Sequence, residues 1–211
     1  MKIAIIGATG NVGKEAVAEA LSRNLEVDAY NRSGNPVEGV QAQVIDFTNV
    51  DDVVEVIDEH DATIISVVAR ESEQANREIQ AAHRALISAA PSGRFIFVGG
   101  AGSLLDENGN ELRNAPDFPA IYKSEADLFG EIYAMYKEAP ASLQWAMVSP
   151  APVIAPGVRT GDIKLDLDRP AGNFISTQDF AIALVDEAVK PKHINKRFTA
   201  ASVDEQAASG K

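Results

Sequence analysis

Short apolar runs rich in β-branched residues alternate with longer amphipathic stretches along almost the whole chain. The runs fall at 3–6, 25–30, 41–45, 63–68, 94–98 and 143–148, with a late one at 197–200. Several are continuous rather than alternating, as expected of parallel strands covered on both faces. Between them the apolar positions recur at helical spacing. In 12–24, Val12, Ala16, Val17, Ala20 and Leu21 share one face, leaving Lys14, Glu15, Glu19 and Arg23 for solvent. Residues 49–59 carry Val50, Val53, Val54 and Ile57, and 71–90 carry Ala75, Ile79, Ala82, Leu86 and Ile87. Helices at 120–138 and 178–189 complete the set. This alternation predicts an α/β domain, and right-handed crossovers make it an open, doubly wound parallel sheet in the order 3-2-1-4-5-6. A (β/α)₈ barrel needs two more units than the pattern supplies.

Two stretches break the rhythm. Residues 101–119 follow the fifth strand and are rich in Gly, Asn, Asp and Pro; residues 149–174 follow the sixth and hold four prolines. Long loops in a compact domain are usually functional. Both leave the carboxyl edge of the sheet, where open α/β folds bind ligands. The expectation is one domain over 1–211, with 149–175 as a small substrate-side extension.

Composition narrows the class. The 211 residues include no cysteine, which excludes disulfides and thiolate chemistry and suits a reducing cytoplasm. No basic segment precedes the first strand and no apolar run spans a bilayer, so a cytoplasmic protein, neither secreted nor membrane-bound, is expected. A formal charge of −12 without a Lys/Arg cluster argues against nucleic-acid partners. A small anionic ligand stays compatible, because surface charge is screened over about 8 Å at physiological salt.

The first chemistry stands at the first turn. Gly7, Gly10 and Gly13 form GxxGxxG after a strand and at the mouth of a helix. Gly7 permits the tight turn, Gly10 lets backbone approach a pyrophosphate without a Cβ, and Gly13 lets the helix pack against the first strand. The amides of Thr9, Asn11 and Val12 then face phosphates at a helix N-terminus. Strand, turn and helix in this order point to dinucleotide binding. The second strand ends Tyr30-Asn31-Arg32-Ser33, without the acid that holds a ribose 2′-hydroxyl, while Arg32 can pair with a 2′-phosphate. NADP(H) is therefore expected over NAD(H). Further strand ends supply the other cofactor contacts: Asp46 and Phe47 for adenine, and Val67, Val68, Ala69 and Arg70 for ribose and pyrophosphate. Gly99, Gly100 and Pro150 end the fifth and sixth strands and complete that set.

With these residues, the chain resembles the atypical short-chain dehydrogenase/reductase group, in particular bacterial NAD(P)H-binding proteins of NADH-flavin-reductase type, related to NmrA-like and biliverdin-reductase-B-like proteins. The resemblance covers nearly the whole length. It rests on GATGNVG at 7–13, VGGAGSL at 98–104, PDFPAIYKSEA at 116–126, LQWAMVSPAPVIAPGVRTG at 143–161 and ISTQDFAIALVDE at 175–187. It implies a Rossmann-type NADP(H) site and reduction of flavins, quinones or similar planar acceptors. In active members a Tyr four residues before a Lys donates a proton, and the Lys holds the nicotinamide ribose. If Lys123 takes the Lys role, as a catalytic and cofactor-binding residue, position 119 should be Tyr; it is Pro119. Tyr122 stands next to Lys123, too close to copy a spacing of four, and Tyr133 and Lys137 lie roughly 15 Å further along the helix axis. The departure leaves two functions open: a reductase of a flavin-type acceptor that tolerates a missing Tyr, or a non-catalytic NADP(H)-binding redox sensor. An epimerase or dehydratase would need the Tyr.

Ser103 is the other catalytic candidate, able to hydrogen-bond substrate or nicotinamide, or else to cap a turn. His60, His83 and His193 lack a second ligand at metal spacing, so no metal is expected. Trp145 reads as core. Pro150, Pro152, Val153 and Ile154 form an expected apolar wall, with Phe118, Tyr122 and Phe174 as the remainder of a pocket for a small planar molecule. Arg159 reads as a solvated loop residue or a contact for an acidic substrate. A monomer or homodimer is expected.

Overall fold

A computed structural model of the chain describes residues 1–68 and 72–210. In chain order the elements are β1 (Lys2–Ile6), α1 (Gly13–Ser22), β2 (Glu26–Asn31), β3 (Ala42–Val44), α2 (Val50–Asp58), β4 (Ala62–Ile65), α3 (Glu73–Ala89) and β5 (Phe95–Val98). There follow α4 (Ala120–Lys137), β6 (Trp145–Pro150), β7 (Val153–Ala155), β8 (Ile163–Asp166), β9 (Phe174–Ser176), α5 (Thr177–Val189), β10 (Lys196–Ser202) and α6 (Glu205–Ser209).

The main sheet runs β3-β2-β1-β4-β5-β6-β10-β8. The expected six-strand order is present, and the late run joins it as a seventh parallel strand, Phe198 beside Val148. β8 closes the edge antiparallel to β10. The stretch 149–174 is thus more than loop: it holds β7 and β8, and β7 pairs with β9 in a two-stranded sheet of its own. These three- and four-residue strands sit among Pro152, Pro156, Gly157 and Gly161, so local signals favour turns, and only pairing with distant partners makes them extended.

Strand alternation divides the core. Ile3 and Ile5 of β1 point to one face, where Ala16, Val17 and Ala20 of α1 meet Phe180 and Leu184 of α5. Ala4 and Ile6 point to the other, with Val53 of α2, Leu86 of α3 and Phe129 and Ile132 of α4. Burial on both faces explains why these strands read as unbroken apolar runs. Trp145 belongs to the second face, its ring 5.2 Å from that of Tyr136.

Ends of helices follow capping chemistry. Ser72 accepts from the Ala75 amide ahead of α3, and Ala90 closes that helix in a left-handed conformation at φ 49°. Ser176 accepts from the Asp179 amide at the start of α5.

The first turn is set by backbone crowding. Gly7 has φ +85°, and a Cβ there would lie 2.1 Å from the Ser66 carbonyl oxygen beyond β4. A Cβ on Gly13 would lie 2.1 Å from the Gly7 carbonyl oxygen. Gly7→Ala combines left-handed strain with a backbone clash, so chemical denaturation should show a loss of roughly 2–4 kcal/mol.

His83 is sealed inside the second face, its ring 4.9 Å from Phe47 and 5.3 Å from Phe97, with Nδ1 3.0 Å from the Tyr136 hydroxyl. Burial lowers its pKa from 6.5 to about 3 and raises that of Tyr136. Between those two pH values the unfolded chain binds a proton that the folded chain does not. Stability should therefore fall as pH drops from 6.5 toward 3, by up to about 1.4 kcal/mol per pH unit from this residue. Denaturation of His83→Gln across that range should show a correspondingly shallower decline.

Candidate functional site

The turn from β1 to α1 leaves bare backbone at the carboxyl edge. The amides of Gly7 and Ala8 both donate to the Tyr30 carbonyl, at 2.9 and 3.0 Å, which locks the turn to the end of β2. Gly10 donates to the Gly7 carbonyl at 3.0 Å, and Lys14 to that of Gly10 at 3.0 Å, starting the helical ladder. Among the described residues, the amides of Thr9, Asn11 and Val12 have no acceptor. A Cβ on Gly10 would stand 3.3 Å from the Gly7 oxygen and 4.0 Å from the Ser66 oxygen, with open space beyond. The three glycines thus do different things: two are demanded by the fold, and Gly10 keeps the cradle clear. Unpaired amides, the positive end of a helix dipole and a Cβ-free floor fit a diphosphate.

Arg32 stands just past β2, exposed, on a turn organised by Asn31. The buried Asn31 carboxamide accepts from the amide and hydroxyl of Ser33, both at 3.0 Å, and donates to the Asn35 carbonyl at 2.9 Å. Ser33 is on the edge, but its hydroxyl proton is committed to Asn31. Sequence reasoning overlooked Asn31, although the run Asn-Arg-Ser-Gly-Asn-Pro at 31–36 is a recognisable side-chain-to-backbone turn signal. Asp46 is exposed beyond β3, and the Thr48 amide and hydroxyl hold its carboxyl below the usual range, helped by the nearby charge of Arg32. Phe47 corrects the expected adenine contact: its ring is buried against His83, which leaves only its backbone for the cleft.

The ends of β4, β5 and β6 lie side by side. Val67 is half-buried and Val68 exposed, whereas Ala69 and Arg70, also expected as cofactor contacts, lie outside the described residues. Gly99 and Gly100 follow β5 at the cleft for a reason from below: a Cβ on the first would strike the Met147 side chain at 2.1 Å, and one on the second would meet Phe129 at 3.1 Å. Ser149 donates to the Gly100 carbonyl at 2.9 Å, tying this end to β6. Pro150 is buried at the end of β6, its carbonyl 3.4 Å from the Thr199 hydroxyl.

Both expected catalytic side chains are engaged by the protein. Ser103 is buried, and its hydroxyl and carbonyl accept from the Arg197 guanidinium at 2.9 and 2.8 Å. Arg197 also holds Asp168 at 2.6 Å and lies 4.1 Å from the Tyr133 ring centroid. Ser103 is therefore an anchor for the loop after β5 rather than a hydroxyl offered to substrate. Lys123 Nζ sits 2.5 and 2.6 Å from the two oxygens of Asp127, which Arg113 also approaches at 3.3 Å. Pro119 is the N-cap of α4. Arg159 is exposed, as expected of a solvated loop residue, but its guanidinium is engaged: it pairs with the buried Glu19 of α1 at 2.7 Å, and with Arg23 it holds that carboxyl below its ordinary pKa. Tyr133 is half-buried, with Lys137 5.2 Å from its ring centroid.

The comparisons agree with this geometry. The family model described as NAD(P)H-binding matches residues 7–191, and the chain belongs to that family. YwnB of Bacillus subtilis strain 168 is 34% identical over 213 residues, covering 96% of this chain and 99% of its own. SP1627 of Streptococcus pneumoniae TIGR4, named a "putative NADH-flavin reductase", is 31% identical with a TM-score of 0.85, covering 96% of this chain and 99% of its own. A "putative exported protein" of Burkholderia pseudomallei is 32% identical with a TM-score of 0.83, covering 95% of this chain and 99% of its own. The chain is an NAD(P)H-binding, Rossmann-type, oxidoreductase-like protein. No helix among the described residues is long and apolar enough to cross a membrane.

The Gly10 geometry separates binding from folding. Gly10→Ala should keep stability within about 1 kcal/mol, since its Cβ crowds only the Gly7 oxygen, at 3.3 Å, yet weaken NADPH at least about tenfold in a fluorescence titration.

Proposed function

We propose that this protein is an NADPH-dependent reductase of a flavin, quinone or similar planar acceptor. The observation that carries the reading is the cradle of unpaired amides at Thr9, Asn11 and Val12 with Arg32 on the neighbouring strand end. A reduced nicotinamide, when bound, supplies a hydride. The amides hold the diphosphate, and Arg32 meets the 2′-phosphate of the adenosine ribose with a charge-assisted hydrogen bond. The turn built on Asn31 carries Arg32, whose charge also helps hold the nearby Asp46 carboxyl below its usual range.

The acceptor class follows from what the chain does not place at the nicotinamide end. Position 119 is the Pro that caps α4, and Lys123 is bound to Asp127, so among the described residues no side chain there matches the Tyr-Lys proton donor of a carbonyl reductase. A ring nitrogen or quinone oxygen that accepts hydride can take its proton from water. The name carried by SP1627 agrees with such chemistry.

Pro119 in place of the Tyr, with Lys123 held by Asp127, favours a second reading, an NADP(H)-binding redox sensor without turnover. Following absorbance at the nicotinamide band with FMN, riboflavin, quinones and dyes separates the two: oxidation beyond the acceptor-free rate selects the reductase, and saturable binding without oxidation selects the sensor. Arg32→Asp should weaken NADPH by about tenfold or more and NADH by less than about threefold. Equal weakening of both nucleotides removes Arg32 from the specificity argument.

A further inference from the structure

Helix α4 carries its buried face beyond the sheet. Ala126, Phe129 and Tyr133 share one stripe at helical spacing, with Ala126 against Gly102 and Phe129 against Gly100. The next member of that stripe toward the helix start is Tyr122, which is 61% exposed. Ile121 likewise continues the adjacent stripe of Leu128 and Ile132 and is 84% exposed. A crossover helix runs against its strands, so this first turn stands at the carboxyl edge, the same edge as the Gly10 cradle. Pro119 fixes the turn: its φ is −64°, and its carbonyl accepts the Tyr122 amide at 3.0 Å.

The neighbouring strand ends are apolar and open as well. β4, β5 and β6 are consecutive in the sheet; Val68 after β4 is 39% exposed and Val153 after β6 is 54% exposed. Val68 thus leaves an exposed apolar side chain beyond β4, next to the end of β5 in the sheet, and Val153 of β7 leaves another in the chain that follows β6. Lys123 is not part of this surface, since it is turned about 100° from Tyr122 and paired with Asp127.

We infer that the Tyr122 ring is the platform on which the planar acceptor stacks, with Ile121 extending it, and that this surface selects a flat aromatic ring system over a compact carbonyl substrate. The inference rests on the reductase reading and names the residue that binds its acceptor. An exposed aromatic face covered by a second ring leaves water and gains stacking contact, whereas a small carbonyl compound covers too little of it. The phenolic hydroxyl is not needed for this role.

The test is lumiflavin binding, followed by quenching of flavin fluorescence, with the protein alone and saturated with NADP⁺. Lumiflavin lacks a phosphate and so does not compete for the diphosphate cradle. Tyr122→Ala should weaken lumiflavin by about tenfold or more, and Tyr122→Phe by less than about twofold, with NADP⁺ affinity unchanged within about twofold in both. Unaltered binding by Tyr122→Ala overturns the inference, as does equal weakening by Tyr122→Phe, or a parent protein that does not quench lumiflavin in either state. If NADP⁺ itself fails to bind the parent, the cofactor reading falls, and the Ala and Phe comparison on the protein alone still decides the role of Tyr122.

Discussion

Three pieces of main chain meet at the start of the first helix with no room for a side chain between them. The Ser66 carbonyl closes on Gly7, and the Gly7 carbonyl closes on Gly13. This approach fixes where α1 begins and how it leans on β1, and hence the direction of the amides at 9, 11 and 12. It also seats Ala16, Val17 and Ala20 against the face they share with α5. The crowding that makes the fold is thus the crowding that makes an anion cradle, with Gly10 as the one position whose small size serves the ligand and not the packing.

Away from that cradle, polar side chains are largely used to hold long segments in place. Arg197 joins Ser103 to Asp168, linking the loop after β5 to the chain after β8. Glu19 gathers Arg159 and Arg23, and Arg23 reaches on to Asp186 of α5. The buried Asp179 accepts from the Thr160 and Gly161 amides and from the hydroxyls of Thr160 and Ser202. Glu19, Asp179 and Arg197 are buried with these polar contacts made, so they are poorly suited to double as mobile catalytic groups. In the proposed reductase, chemistry therefore falls to backbone, a few strand-end side chains and the nicotinamide.

The sheet was legible because strands buried on both faces leave continuous apolar runs, and because Gly7, Gly10 and Gly13 follow one of them. Less legible was anything decided by a distant partner. β7 and β8 look like loop, since Pro152, Pro156 and Gly157 surround short runs that extend only when paired with β9 and β10. Ser103 and Phe47 look available at strand ends, yet Arg197 and His83, 94 and 36 residues away in sequence, take them inward. Lys123 shows the same limit: spacing alone gives Asp127 as an i,i+4 partner, but only the folded structure shows both its oxygens occupied by the ammonium. Asn31 was within reach of sequence reasoning, as a turn-forming Asn at a strand end.

The proposed function depends on amides of the first turn gripping a diphosphate. Amide resonances of ¹⁵N-labelled protein titrated with NADPH measure it residue by residue. Saturable shifts led by Thr9, Asn11 and Val12 are expected, with Arg32 and its neighbours following. Saturation with NADPH that leaves those three amides unmoved, or an absence of saturable shifts anywhere in the spectrum, contradicts it.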